Sequence, residues 1–135
     1  MAAPEILYVE DNPADVLLLK SAFEVCGFNP ILHIAHDGVE CLDFLNARLQ
    51  RGEKQPDLIL LDLNLPRKNG FDVLKEIRTI PALESLQVIT YSGSVNPEDL
   101  DKCRKLKASD SWIKPQDFPQ VVQIAERLKK WNSTT

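Results

Sequence analysis

The most informative run of hydrophobic residues extends from Leu58 to Leu61 and stops at the carboxylate of Asp62. A short apolar run that is bounded by polar residues and proline is typical of a strand buried on both faces of a sheet. Such strands lie inside parallel sheets, whose ligands bind at the carboxyl ends of the strands. Asp62 is therefore predicted to lie at the functional edge of a sheet, followed by a turn through Asn64 and Gly70.

Four other runs of strand-forming residues alternate with segments that carry apolar residues at helical spacing. The strands are predicted at 5–9, 31–35, 57–61, 86–91 and 111–113, and the helices begin near residues 13, 38, 70, 97 and 118. Asn12 before Pro13 is a helix-start signal, and Gly27 is a helix-end signal. The alternation predicts one doubly wound α/β domain, with five parallel strands and helices on both sheet faces. In the second strand, apolar and polar residues alternate less cleanly, so this strand is predicted to lie nearer an edge of the sheet.

Two segments depart from the regular pattern. Residues 48–55 are mostly polar and include Gly52, which predicts an exposed loop or a frayed helix end. The helix that begins at Pro97 has only a thin apolar stripe, which predicts an element that is partly exposed and able to shift.

Composition narrows the functional classes. The chain has 135 residues, 44% of them apolar, and a formal net charge of −4, which suits one globular domain and argues against binding to nucleic acid or an anionic membrane. It has no apolar run of membrane-spanning length and no secretory signal at its start, so we expect a cytoplasmic protein. The three cysteines are widely spaced, which predicts reduced thiols and no zinc site.

Polar residues follow four of the predicted strands at the same end of the sheet: Glu10, Asp11, Asp62, Ser92 and Lys114. Three carboxylates in one crevice repel each other, so cations must offset their charge. Lys114 supplies one positive charge, and Mg²⁺, which prefers oxygen ligands, would supply two. The backbone carbonyl of Asn64 is a further ligand within reach. The pattern predicts a Mg²⁺ site beside a carboxylate that accepts a phosphoryl group.

These residues lie in short motifs that follow one another along the chain: Glu10-Asp11-Asn12, Asp37-Gly38, Leu61-Asp62-Leu63-Asn64-Leu65-Pro66, Asn69-Gly70, Ser92-Gly93 and Lys114-Pro115. Over nearly its whole length the chain resembles the receiver domains of response regulators in two-component signalling. Within that family it is most similar to single-domain regulators of the phytochrome-associated type. The resemblance implies a flavodoxin-like (βα)5 fold with strand order 2-1-3-4-5. It also implies one receiver domain over residues 1–135, without an output domain.

The same resemblance implies the roles of the acidic residues. Asp62 is expected to accept a phosphoryl group from a histidine of a sensor kinase in a phosphorelay. Mg²⁺ is expected to be held by Asp11, Asp62 and the backbone carbonyl of Asn64, with Glu10 acting through water.

The resemblance also assigns the residues that respond to the phosphoryl group. Lys114 is expected to pair with it, and Ser92 is expected to move toward it as the switch hydroxyl. The bond between Lys114 and Pro115 is expected to be cis. Where the family usually has an aromatic switch residue this chain has Ser111. Either the switch is therefore expected to be altered, or Tyr91 or Trp112 is expected to take part in it.

Gly93 stands where an alanine is commoner in the family, which would leave the phosphoryl site more open. The expected partners are a sensor histidine kinase of phytochrome-like or hybrid type and a downstream protein target, with a homodimer left open. The chain is not expected to be an enzyme beyond its own phosphorylation and dephosphorylation. A haloacid-dehalogenase-type phosphatase would need an acid at Asn64, and a flavodoxin would need a phosphate loop where Glu10 and Asp11 stand. The alternative that stays open is a degenerate receiver that docks partners without phosphorylation.

Overall fold

The structure is a computed structural model that describes residues 3–93 and 96–133. Ser94, in the turn after the fourth predicted strand, and the two ends of the predicted domain 1–135 lie outside the described residues. The strands are β1 (Glu5–Val9), β2 (Ile31–Ala35), β3 (Leu58–Leu61), β4 (Val88–Ser92) and β5 (Asp110–Ile113). The helices are α1 (Pro13–Cys26), α2 (Gly38–Gln50), α3 (Gly70–Thr79), α4 (Pro97–Lys105) and α5 (Phe118–Ser133).

All five strands are parallel and lie in the order β2-β1-β3-β4-β5, which confirms the predicted flavodoxin-like fold and the edge position of β2. The chain order reverses at β1, which pairs with β2 on one side and β3 on the other. Ligands of such sheets bind at the carboxyl ends of the strands beside this reversal. Val9 is opposite Leu61 in the register, so the residues that follow them, Glu10 and Asp62, leave the sheet side by side.

Strand β3 is an unbroken apolar run because both faces of the sheet are covered. All four of its residues have no exposed surface. Leu58 and Leu60 pack in the cluster that also contains residues of α1 and α5, whereas Ile59 and Leu61 pack in the cluster with residues of α2 and α3. Burial on both sides makes β3 a fixed base for the residue that follows it.

The helices differ in how much apolar surface they bury. In α5, Val121, Ile124 and Leu128 lie in the core, whereas α4 buries only Cys103 and leaves Leu100 40% exposed. The thin apolar contact predicted for α4 is therefore confirmed. Among the described helices, none combines the length and the apolar character that crossing a bilayer requires.

Helix α2 runs on to Gln50, and the expectation of an exposed segment from residue 48 is wrong for Arg48. Its guanidinium binds Glu5 at the start of β1 through two hydrogen bonds of 2.9 Å each, and His33 Nε2 lies 2.9 Å from the same carboxylate. The hydrogen bond from Arg48 is the main cause that lowers the pKa of Glu5 to about 2, and His33 adds to it. This contact ties α2 to the amino-terminal end of the sheet.

The ion pair of Glu5 predicts a pH-dependent contribution to stability. Because the folded pKa lies below the unfolded value of 4.5, the contribution is present above pH 4.5 and lost as the pH falls toward 2. Glu5→Gln should lower the free energy of unfolding at pH 7 by about 1–2 kcal/mol, after allowance for solvent screening. Urea unfolding of both proteins from pH 7 to pH 3 should show the difference shrinking with the pH.

Glu53→Gln is the matched control, since Glu53 pairs with Arg51 where both side chains are about half exposed or more. Such a pair contributes little, so this variant should stay within about 0.5 kcal/mol of the wild type at every pH. An equal loss at pH 7 and at pH 3 for Glu5→Gln would contradict the ionic origin of the effect.

Candidate functional site

The carboxylates of Glu10, Asp11 and Asp62 form a cluster in which one oxygen of each lies within 4.8 Å of the others. Glu10 is 1% exposed and Asp62 is 5% exposed, whereas Asp11 faces solvent. Two of the acids are fixed by the β1–β3 register, and the third is open to water. A set of hard oxygen ligands with one exposed member fits a hydrated divalent cation such as Mg²⁺.

Lys114 follows β5 and brings a positive charge to this cluster. Its backbone N–H donates to the carbonyl of Ser92 at 2.9 Å, which extends the pairing of β4 and β5 to the site. The ammonium group binds Glu10 Oε1 and, at 3.0 Å, Asp15 Oδ2, and lies 3.9 Å from Asp62 Oδ2. Burial is the largest influence on Lys114 and disfavours its charge, but the bonds to Glu10 and Asp15 outweigh it and raise the pKa.

Glu10 is the most strongly perturbed acid of the cluster. Burial is the main cause that raises its pKa to about 7, the charge of Asp62 adds to the rise, and the bond from Lys114 opposes it. The hydroxyl of Tyr8 donates to Glu10 Oε1 at 3.3 Å, and the backbone N–H of Asn12 donates to Oε2 at 3.2 Å. The carboxylate is thus held in place by donors on three sides.

Asp62 is bound on its Oδ1 atom by two neighbours. The hydroxyl of Ser92 donates to Oδ1 at 2.7 Å, and the backbone N–H of Asn64 donates to the same atom at 3.2 Å. The backbone N–H of Leu63 donates in turn to Ser92 Oγ at 3.2 Å. Ser92 therefore links the end of β4 to the start of the β3–α3 loop, so a movement of its hydroxyl disturbs both.

The β3–α3 loop returns tightly against Asp62. The backbone N–H of Gly70 donates to the carbonyl of Leu63 at 3.0 Å, and Asn69 caps α3 by accepting from the N–H of Asp72 at 3.0 Å. A Cβ atom on Gly70 would lie 2.4 Å from the carbonyl oxygen of Asp62, which is closer than van der Waals contact allows. Only glycine fits here without displacing the backbone of the acidic cluster.

The loop before α2 braces the same segment from the other side. Arg67 Nε donates to Asp37 Oδ2 at 2.7 Å, while Asp37 Oδ1 accepts from the N–H of Glu40 at 2.8 Å and caps α2. Arg67 has a φ of 61°, a left-handed conformation that a non-glycine residue adopts at some cost. The hydrogen bond from Arg67 is the main cause that lowers the pKa of Asp37, so the pair stays ionised and holds the loop.

Comparisons with known proteins agree with this geometry. The sequence profile of the response regulator receiver domain matches residues 6–126. The chain belongs to the response regulator receiver family. It is 32% identical to the response regulator Rcp1 of Synechocystis sp. over 130 residues, which cover 93% of this chain and 86% of that protein. It is also 32% identical over 126 residues to the probable methanogenesis regulatory protein FilR2 of Methanothrix harundinacea, covering 93% and 81% of the two chains.

Solved structures give the same family. The phosphorylated cyanobacterial phytochrome response regulator RcpA superimposes with a TM-score of 0.87 at 34% identity, covering 99% of this chain and 97% of that one. The Mn²⁺-bound form of Rcp1 superimposes with a TM-score of 0.82 at 30% identity, covering 93% and 91%. Receiver domains are signalling proteins that interact with sensor histidine kinases, and the chain is a receiver domain of two-component signalling.

The residues expected to form the switch of this receiver domain lie on two faces of the sheet. Ser111 is opposite Thr90 in the register and accepts a hydrogen bond of 2.7 Å from its hydroxyl, on the same face as Ser92. Trp112 and Tyr91 lie on the opposite face, in the cluster with α1 and α5. The structure thus separates Trp112 from Ser92, and a part for Trp112 in the switch stays a prediction.

One expectation for the receiver domain is wrong, and several contacts were not expected. No peptide bond among the described residues is cis, so the bond between Lys114 and Pro115 is trans. Trans is the lower-energy form of most bonds to proline, and Lys114 reaches Glu10 and Asp15 with it. The contact of Asp15 with Lys114 is one of these unexpected contacts, since nothing in the sequence indicates what the first turn of α1 faces. The contact of Tyr8 with Glu10 was also not expected. The alternation of side chains along a strand, which places residues two apart on one face, is the signal that could have indicated it.

The close approach of Gly70 to Asp62 gives a prediction for the receiver domain. Gly70→Ala should lower the free energy of unfolding by about 1–3 kcal/mol, because the new methyl group must displace the backbone at Asp62 and Leu63. Gly93→Ala is the control, since a Cβ atom there meets nothing within 4 Å, and should change it by less than about 0.5 kcal/mol. Urea unfolding of both variants checks the difference, and equal effects would contradict the proposed crowding at Gly70.

Proposed function

We propose that this receiver domain, taken as one domain over residues 1–135, accepts a phosphoryl group on Asp62 from a histidine of a sensor kinase and signals through protein contacts. The observation that carries the proposal is the surroundings of Asp62. This buried carboxylate lies beside a hydroxyl from Ser92, an ammonium group from Lys114 and two further acids, all at the carboxyl end of the sheet. Those are the groups that a transferring phosphoryl group requires around its acceptor.

The acidic cluster is proposed to hold Mg²⁺. Asp11, Asp62 and the backbone carbonyl of Asn64 would be its protein ligands, and Glu10 would act through water. The fit rests on the grouping of three carboxylates, of which Asp11 is open to solvent. When bound, the cation would neutralise charge on the acids and on the phosphoryl oxygens. The Mn²⁺-bound form of Rcp1 supports this proposal by its similarity.

In the proposed transfer, the bond between phosphorus and the donor's imidazole nitrogen breaks as a bond to a carboxylate oxygen of Asp62 forms. The electron pair of the broken bond stays on the imidazole. The ammonium group of Lys114 balances negative charge on the phosphoryl oxygens as it approaches from 3.9 Å. The domain contributes position and charge, which is why it needs no further reactive group.

Phosphorylation would then change the contacts of Ser92. A phosphoryl group carries about −1.5 to −2 charges and three strong acceptors, so it would compete with Asp62 Oδ1 for the O–H of Ser92. A shift of Ser92 would move the loop after β4 and so α4, whose single buried residue is Cys103. Weak packing suits an element with two close-lying positions. Ser111, on the same face, is proposed to move with it.

The partners are proposed from the same family relation. A sensor histidine kinase would be the phosphodonor, and a kinase of phytochrome-like type is proposed because of the likeness to the phytochrome response regulator RcpA. The output would pass to a downstream protein, for which α4 and the adjoining β5 are the elements that phosphorylation reaches.

Acetyl phosphate and Mg²⁺ provide the first test without the kinase. Intact mass spectrometry should show one phosphoryl adduct on the wild type, which disappears when Mg²⁺ is chelated. Asp62→Asn should show none, since the amide oxygen is too weak a nucleophile for the phosphoryl group.

Asp57→Asn is the matched control, because Asp57 is at the opposite end of β3, where it accepts from the N–H of Glu5 at 2.8 Å. It should accept phosphate as the wild type does. If the wild type takes up no phosphoryl group and forms no beryllofluoride complex with Mg²⁺, phosphoacceptance is wrong. Docking without phosphorylation would then be the better function.

A further inference from the structure

The ammonium group of Lys114 is shared unequally among three carboxylates. It binds Glu10 and Asp15 directly, with Asp15 Oδ2 at 3.0 Å, but stands 3.9 Å from the nearest oxygen of Asp62. Only 14% of the Lys114 side chain and 25% of the Asp15 side chain are exposed. In this resting geometry, the ammonium group that is expected to pair with the phosphoryl group is bound by acids other than Asp62.

Helix α1 fixes the position of Asp15. The helix begins at Pro13 behind the cap Asn12, whose side chain accepts from the N–H of Ala14 at 2.9 Å. Asp15 is therefore in the first turn, where the helix dipole favours a negative charge. Its carboxylate lies beside Lys114, Tyr8 and Tyr91, in a narrow space that also includes Leu18. Asp15 is thus held close to Lys114 without being part of the acidic cluster.

The carboxylate of Asp15, 3.0 Å from the ammonium group of Lys114, disfavours a phosphoryl group on Asp62 in two ways. It attracts Lys114 away from Asp62, and it repels a phosphoryl group that adds charge there. Partial burial strengthens both effects, because water screens the charges less. Asp15 lies outside the acidic cluster that is proposed to hold Mg²⁺, so it would remain a competitor for Lys114 when that site is filled.

We propose that Asp15 is a positioning residue that, together with Glu10, holds the ammonium group of Lys114 and so lowers the affinity of the site for a phosphoryl group. This inference rests on the proposed function of Asp62. Asp15 would act through Lys114 and through its charge, without contacting the phosphoryl group. It would set how much of the protein is phosphorylated at a given supply of phosphodonor.

The simpler role of Asp15 is to stabilise the start of α1, and the two roles predict opposite results. Loss of a helix-start acid lowers stability and leaves binding at the site unchanged or weaker. Loss of a competing charge strengthens binding of a phosphoryl mimic. Asp15→Asn separates the two, because the amide oxygen can still accept a hydrogen bond from Lys114 while the charge is gone.

The test measures the affinity for beryllofluoride, a phosphoryl mimic, by calorimetry at saturating Mg²⁺ in low salt. Asp15→Asn should bind about threefold to tenfold more tightly than the wild type, as expected for a partly buried charge pair. The gain should shrink as NaCl is raised, because salt screens the charge. Asp15→Ala, which places a strong helix former in the first turn, should show the same gain and serves if the asparagine variant folds poorly.

Asp72→Asn is the matched control. Asp72 is in the first turn of α3 behind the cap Asn69, and no basic group of the described residues is within ion-pair distance of it. Its affinity should equal that of the wild type. If Asp15→Asn binds no more tightly than the wild type, or if Asp72→Asn gains as much, the role of Asp15 is overturned. If the wild type does not bind beryllofluoride while Mg²⁺ is present, the proposed function of Asp62 fails with it.

Discussion

The repulsion among carboxylates at one end of the sheet is the constraint on which the rest of the site depends. Pairing of β1 with β3 places Glu10 beside Asp62, and both are almost fully buried. Two like charges at such a distance in a poorly solvated place are unfavourable by several kcal/mol unless opposite charges or donors compensate, with about 4 kcal/mol per pair as a guide at an intermediate dielectric. Lys114 and hydrogen bonds to both acids provide this compensation. The remaining negative charge is what suits the cluster to a divalent cation.

Holding these groups at fixed distances requires rigid surroundings, and three contacts provide them. Gly70 lets α3 begin against the backbone of Asp62, and the pair of Asp37 with Arg67 braces the connecting loop. Ser92 joins that loop to β4 through its hydroxyl. The first two contacts do not involve the carboxylate of Asp62. The third depends on which acceptor the hydroxyl has, so it is the contact through which a change at Asp62 would be felt at the end of β4.

Much of this arrangement could be predicted from the sequence, because local pattern and topology are enough to place strand ends. The run from Leu58 to Leu61 marks a central strand, and parallel strands necessarily bring Glu10, Asp62 and Lys114 to one edge. Contacts that depend on side-chain direction could not be read in this way. Asp15 is 99 residues from Lys114, and a pattern of helix caps contains no information about what faces its first turn.

Side-chain reach also explains why the prediction was wrong for Arg48. Arg48 is polar and near a glycine, so its sequence surroundings indicate an exposed loop, yet its guanidinium reaches Glu5 across 43 residues of chain. A long side chain can bury its stem and pair its head group at the edge of the core. Ser111 is a similar case, because only the register shows that it faces Thr90 on the side of Ser92.

The charge balance connects the site with reversible signalling. A receiver that stabilised its phosphoryl group with every available cation would hold that group too firmly to report a changing stimulus. A ligand shifts an equilibrium only by the difference between its affinities for the two states. Here Lys114 already has partners in the resting state, and the proposed phosphorylated state must draw it from them. The free energy of those bonds would be subtracted from what the phosphoryl group gains from Lys114. In the proposed phosphorylated state, the acids that Lys114 binds would thus limit how strongly it can favour the phosphoryl group.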